Sequence, residues 1–290
     1  MKPAQFDYHE PKTLAEALNL LAQFGDAAKP LAGGQSLVPM MNMRLARPAQ
    51  LIDLNRLREL DYIKAENGEL CIGAMTRQRA LERSTVVSEA WPLLQEATRY
   101  IGHVQIRNRG TVGGSLVHAF PSAELPVVMT ALEATFVLRR SQGERIVSAA
   151  HFFVDAMTTV LKPDELLVEI RVPPLPVRTG WAFQEVSRRH GDFALMAVAG
   201  LVTLDSQGIM SQCRLAFTGS TPQLSTKAEP RLLGRRPEPT LFREAADIAA
   251  AELDPDSDIH ASAEYRREVG KVLARRVLEQ AAARASGGAK

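Results

Sequence analysis

The chain has 290 residues, 46% of them hydrophobic and 23% charged, with 35 basic against 33 acidic side chains and a formal net charge of +2. That is enough apolar material for a sizeable core, in one large domain or two to three smaller ones, and the near-cancelling charges call for neither nucleic acid nor an anionic membrane. Two distant cysteines, Cys71 and Cys213, are too few for a four-cysteine iron–sulfur cluster, and without a signal segment or a run of roughly 18 apolar residues the expectation is a cytoplasmic protein with two reduced, buried thiols.

In chain order, Thr13-Leu14-Ala15-Glu16 reads as a capping box opening a helix. Leu14, Ala17, Leu18, Leu21 and Ala22 fall on one face of it, and Gly25 suits its left-handed end. Lys29 to Ala32 reads as a short strand, Pro39 to Leu45 as a Met-rich helix and Leu51 to Leu54 as a buried strand, so residues 1–55 form a small β-α-β-type unit. Asp61 to Lys64 and Glu69 to Gly73 are two strands joined by the hairpin signal Asn67-Gly68. Thr76 is placed to cap a helix through Arg83, and Pro92 opens another through Tyr100. Thr135 to Arg139 and Arg145 to Val147 pair over Gln142-Gly143, and Leu166 to Val172 is a strand stopped by Pro173-Pro174, the best boundary in the chain. Beyond it, Trp181 to Val186, Ala194 to Leu204 and Ile209 to Phe217 read as strands, with a turn at Gln207-Gly208. Residues 240–251 and 262–284 read as Ala-rich helices packed on that sheet, and Ser286 to Lys290 as a flexible tail.

Two short glycine loops carry the functional signal. One is Ala32-Gly33-Gly34-Gln35-Ser36, the other Thr111-Val112-Gly113-Gly114-Ser115. Adjacent glycines open backbone conformations closed to other residues, so their N–H groups can converge on an anion as a nest. Either loop alone is more simply a tight turn. Together they suit a ligand with two phosphates, a dinucleotide. No G-x-G-x-x-G, P-loop, G-x-S-x-G elbow or H-E-x-x-H motif occurs, and the six histidines do not pair at metal-ligand spacing. His118 stands out because it follows the second loop.

The stretches Ala32 to Pro39, Gln105 to Leu116 and Ser187 to Ala194 are similar, in order and spacing, to segments of the flavoprotein (medium) subunits of molybdenum hydroxylases. That group includes the carbon monoxide dehydrogenase medium chain and the flavin domain of xanthine dehydrogenase. The resemblance implies an α+β fold: two FAD-binding subdomains of the vanillyl-alcohol-oxidase/PCMH type, followed by a C-terminal antiparallel sheet with helices. The FAD-binding domain would be residues 1–175, with subdomains of about 1–55 and 56–175, and the C-terminal flavoprotein domain 178–285. It implies an oxidoreductase subunit that carries FAD and no metal. Electrons would arrive from [2Fe–2S] clusters on a small partner subunit and leave for an external acceptor, while a large molybdopterin subunit oxidises the substrate, in a heterotrimer or a dimer of heterotrimers.

The resemblance also assigns residues. Ala32, Gly33, Gly34, Gln35, Ser36 and Leu37, with Thr111, Gly113, Gly114 and Ser115, would meet the FAD pyrophosphate through backbone N–H and hydroxyl groups. Glu124 would accept from a ribose, Leu161 would line the cofactor, and His118 would belong to the cofactor site. Phe193 would stack on the isoalloxazine ring, or else be a core residue on a strand. Gln35 stands where covalently flavinylated relatives of the wider superfamily place a histidine, which implies noncovalent FAD. Phe120 replaces an Asp common in the family, Ser115 an Asn, and Gln184-Glu185 occupies a region where relatives often carry a Lys that would tune the flavin potential. Arg44, Arg47, Arg56, Arg58, Arg77, Arg79 and Arg83 form either a partner surface or a solvated face. A free-standing FAD oxidoreductase of the same fold would need a substrate base over the flavin, and a nonredox nucleotide-binding subunit would carry no flavin at all.

Overall fold

A computed structural model describes residues 1–287. Packing divides the chain into two units: one of Met1–Val86, His103–Ala119 and Ala134–Pro173, the other of Val87–Gly102, Phe120–Glu133 and the chain from Pro174 onward.

The first unit begins with a small parallel sheet. Gln50–Asp53 is its central strand, flanked by Asp7–His9 and Ala28–Leu31. Parallel neighbours require crossover connections. The helix Leu14–Phe24 supplies one, and the first glycine loop with the helix Leu37–Asn42 supplies the other. The loop therefore leaves the C-terminal end of a parallel strand, where open α/β sheets bind ligands. Thr13 caps the first helix, its hydroxyl accepting the Glu16 N–H at 3.2 Å. The Glu16 carboxylate returns to the Lys12 N–H at 2.6 Å instead of closing the box on Thr13. Thr13→Ala is expected to cost about 1 kcal/mol of stability, read as a lower urea midpoint at unchanged m-value. Leu14, Ala17, Leu18 and Leu21 are buried as the spacing predicts, but Ala22 is exposed, one step past the edge of the apolar stripe.

An antiparallel sheet follows, in the order Ile63–Glu66, Glu69–Gly73, Leu166–Val172, Thr135–Arg140, Gly143–Ser148. Asn67 and Gly68 both take positive φ (53° and 85°), as the hairpin signal requires. The second hairpin turns one residue earlier than its glycine suggests: Gly143 opens the strand at φ 140° and Ser141-Gln142 make the turn. Leu18, Leu21 and Ile52 share one core with Leu60, Val137 and Val168, so the parallel and antiparallel layers are not independently packed. Thr76 does not cap its helix; it is buried and its hydroxyl bonds the Tyr62 backbone (O 2.8 Å, N 3.2 Å), leaving Arg77 as the cap.

The second unit holds the antiparallel sheet Thr179–Ser187, Ala194–Leu204, Met210–Phe217, Gln223–Leu224. Helices Pro239–Glu252 and Ala263–Ala285 pack on it. Gly180 and Gly200 let the long helix approach, since a Cβ on either would run into Ala281 and Val277 respectively. The strand Ala194–Leu204 is buried at nearly every position, the pattern of a strand covered on both faces. Helices Pro92–Thr98 and Glu124–Ala131 complete that cover, with every residue of the second buried. Its sequence, ELPVVMTA, has no polar face, so helical periodicity could not reveal it. Of the expected tail, residues 288–290 lie outside the described residues.

Candidate functional site

In the first glycine loop Gly34 sits at φ +73°. The Ala32 carbonyl accepts from Asn55 Nδ2 (3.0 Å), the Gly33 carbonyl from Gln35 Nε2 (3.2 Å) and the Gly34 carbonyl from the Val38 N–H (3.2 Å). The two polar ends of a peptide plane point in opposite directions, so a carbonyl held one way turns the next N–H the other. The N–H groups from Gly33 through Leu37 donate to no other group among the described residues. A run of unsatisfied donors around two glycines is an anion nest.

The second glycine pair is not a second nest. It lies in the first turn of the helix Val112–His118, which Thr111 caps by accepting the Gly114 N–H at 3.0 Å. The Gly113 N–H is taken by the Ala74 carbonyl at 2.9 Å and the Ser115 N–H by the Thr111 carbonyl at 3.2 Å. These glycines serve close packing: a Cβ on Gly113 would sit 2.6 Å from the Ala74 Cβ, and one on Gly114 would sit 2.6 Å from Thr111 Oγ1. What this segment still offers a ligand is the Thr111 N–H and hydroxyl proton and the Ser115 hydroxyl.

The two segments meet. A Cβ on Gly33 would overlap the Arg109 carbonyl and stand 2.8 Å from Gly110 Cα, and the Ala32 Cβ lies 3.5 Å from where one on Gly114 would be. Two residues to which the sequence assigned no place in the site tie them together: Asn55, which it did not single out, and Arg77. Arg77 donates through Nη1 to the Arg109 carbonyl and through Nη2 to Asn55 Oδ1 at 2.6 Å. Asn55 in turn donates to Ala32, and its amide is held by Asp53 Oδ1 at 2.5 Å. Arg77 is thus not spent on a solvated face: it is half-buried and holds the two segments together. Nothing in its local sequence marks it, because its acceptors lie in other elements.

Of the remaining expected residues, His118 and Leu161 belong to the first unit. His118 ends its helix half-buried, and burial pulls its pKa below the ordinary 6.5, which keeps the imidazole neutral at pH 7. Leu161 follows the strand Thr158–Thr159, its N–H on Thr159 Oγ1 at 3.3 Å. Glu124 and Phe193 belong to the second unit. Glu124 opens the helix Glu124–Ala131 and is only 7% exposed. Phe193 is not a core residue: it lies between strands, 69% exposed, its ring centroid 4.5 Å from that of Phe120. The Phe120 departure from the family's carboxylate thus gives Phe193 an aromatic brace.

Glu185, in the same unit, has a buried Oε2 without a hydrogen-bond partner. Burial, and then the nearby Glu124 carboxylate, push its pKa from 4.5 up to about 8. The folded state therefore holds a proton that the unfolded state has released. That contribution to stability is fully present below pH 4.5 and is lost as the pH rises to about 8. Glu185→Gln is expected to flatten this decline, so that its thermal midpoint exceeds that of the parent chain increasingly from pH 5 to 8.

A family model described as the FAD binding domain in molybdopterin dehydrogenase matches residues 4–175, and one described as the CO dehydrogenase flavoprotein C-terminal domain matches residues 181–281. The 6-hydroxypseudooxynicotine dehydrogenase complex subunit alpha of Paenarthrobacter nicotinovorans is 44% identical over 287 residues, covering 98% of this chain and 97% of its own. The crystal structure of carbon monoxide dehydrogenase from Hydrogenophaga pseudoflava contains a chain with 41% identity and a TM-score of 0.95, covering 98% of this chain and 99% of its own. Quinoline 2-oxidoreductase from Pseudomonas putida 86 contains one with 35% identity and a TM-score of 0.93, over 98% and 99% of the two chains. With both halves matched and the likeness running nearly end to end, the chain belongs to the family of FAD-binding flavoprotein chains of the molybdopterin dehydrogenases.

Proposed function

We propose that this chain is the FAD-carrying electron-transfer subunit of a multi-subunit molybdenum hydroxylase. The observation that carries the reading is the run of unsatisfied N–H groups from Gly33 to Leu37 beside Thr111 and Ser115. A diphosphate matches that donor set, and helix- or loop-borne backbone donors are a common means of holding one. Ala32, Gly33, Gly34, Gln35, Ser36 and Leu37 would hold the pyrophosphate from one side. Thr111 and Ser115 would hold it through side-chain hydroxyls, with Gly113 and Gly114 contributing through the close packing on Ala74 and Thr111 that places this helix turn. His118 and Leu161 would line the cofactor, Glu124 would accept from a ribose hydroxyl, and Phe193 braced by Phe120 would present an aromatic face to the isoalloxazine. Gln35 gives no attachment point, so the cofactor is held noncovalently. Bound there, FAD supplies one- and two-electron chemistry between a [2Fe–2S] partner and an external acceptor, while a molybdopterin partner performs the substrate oxidation.

The finer architecture belongs to the same proposal: a PCMH-type FAD-binding domain over 1–175 with subdomains near 1–55 and 56–175, then a flavoprotein C-terminal domain over 178–285. The test is the visible spectrum of the purified chain before and after dithionite, with acid release of the chromophore. A bleachable flavin spectrum released as FAD supports the reading. A colourless chain that takes up no added FAD, alone or with its partner subunits, overturns it.

A further inference from the structure

The carbonyls immediately before the two ligand-facing segments are held by one side-chain relay. Ala32 precedes Gly33 and the free donors that follow it; Arg109 precedes Gly110 and Thr111. Asn55 takes the Ala32 carbonyl at 3.0 Å, Arg77 takes the Arg109 carbonyl, and the two side chains bond each other at 2.6 Å. Asp53, at the end of the central parallel strand, anchors the relay through the Asn55 amide and accepts the Asn55 N–H at 2.8 Å. The Asn55 bond fixes the tilt of the Ala32–Gly33 peptide plane, and with it the direction of the Gly33 N–H; the Arg77 bond holds the Arg109 carbonyl, against which Gly33 packs and whose plane is closed on its other side by the Gly110 N–H on the Ile106 carbonyl at 2.7 Å. A guanidinium is suited to this because its fork holds two acceptors at a fixed angle.

We propose that Arg77 and Asn55 form a clamp that presets the two glycine segments for a diphosphate, making Arg77 a positioning residue for cofactor binding. The inference rests on the proposed FAD site but concerns residues that need not touch the cofactor. Arg77 is half-buried, and its own charge is disfavoured by that burial and by the neighbouring Arg109 guanidinium. The Arg109 side chain has no hydrogen-bond partner among the described residues. An anion bound between the segments would relieve the repulsion between the two cations, so clamp and ligand reinforce each other.

Two readouts on the full chain separate the clamp from the cofactor reading. The first is amide hydrogen exchange of flavin-free protein, parent against Arg77→Met. Faster exchange of the hydrogen-bonded amides that flank the two segments, Val38, Gln78, Gly110 and Val112, at an unchanged melting temperature supports the clamp, and unchanged exchange at all four overturns it whatever the flavin does. The second is FAD affinity by fluorescence quenching. Arg77→Met is expected to weaken binding roughly 10- to 150-fold, the equivalent of losing one charge-assisted hydrogen bond. Arg77→Lys, which keeps one donor but not the fork, is expected to fall between. Faster exchange with an unaltered FAD dissociation constant would overturn the positioning role while leaving the FAD site standing.

Discussion

Gly33→Ala is expected to weaken FAD binding by roughly 5- to 150-fold, corresponding to about 1–3 kcal/mol of misfit. The added methyl meets the Arg109 carbonyl and Gly110 Cα, both backbone atoms that cannot rotate away. Relief requires the two glycine segments to part, which displaces the donors from Gly33 onward relative to Thr111. Gly34→Ala is the informative comparison. Gly34 carries the positive φ, yet the closest atom to its added Cβ is Val38 Cγ2 at 3.2 Å, a side-chain methyl that can shift. Its penalty is mainly the left-handed conformation, of order 1–2 kcal/mol in stability. Isothermal titration with FAD should therefore show the larger loss of affinity at position 33. Equal affinity of Gly33→Ala and the parent would mean that the contact between the segments is not part of the site.

Gly180→Val is expected to destabilise the second unit by about 3 kcal/mol or more, the upper range for an overpacked core. A Cβ at this position would collide with the Ala281 carbonyl and with the Ala285 backbone nitrogen, all main chain of the helix Ala263–Ala285. That helix lies directly on the strand Thr179–Ser187, and its Val277 shares a core with Ala182 and Val198. The strand cannot yield, because it is paired along its length with Ala194–Leu204. The added methyls therefore lift the helix, and a urea or thermal transition of the chain reports the loss. Val177→Ala, three residues earlier and 87% exposed, should stay within about 0.5 kcal/mol of the parent. A Gly180→Val chain melting with the parent would show that helix and strand do not pack this closely in solution.

Elements whose stabilisation is local were legible along the chain. Asn67-Gly68 demands a tight hairpin because both residues must take positive φ, and the structure has that turn. Leu166–Val172 is stopped by Pro173-Pro174 as expected, since proline cannot continue a ladder. Leu14, Ala17, Leu18 and Leu21 repeat at helical spacing and are buried together. Failures arose where a residue's partner lies far away in sequence. Thr76 has the chemistry of a cap but is consumed by Tyr62 across a sheet edge. Glu124–Ala131 is apolar on every side because it is enclosed on every side.

The same division runs through the candidate site. The Gly33-Gly34 loop, the order of the motifs and the family resemblance are properties of short stretches of chain, because backbone freedom and spacing are local. The tertiary structure settled which glycine pair keeps its donors open. Gly113 and Gly33 look alike in sequence, but only Gly113 lies against Ala74, which takes its N–H. It also settled that Arg77 and Asn55 join the two segments, and that Phe193 stands exposed against Phe120. Those outcomes depend on which atoms meet across separations of twenty to seventy residues, about which local propensity carries no information.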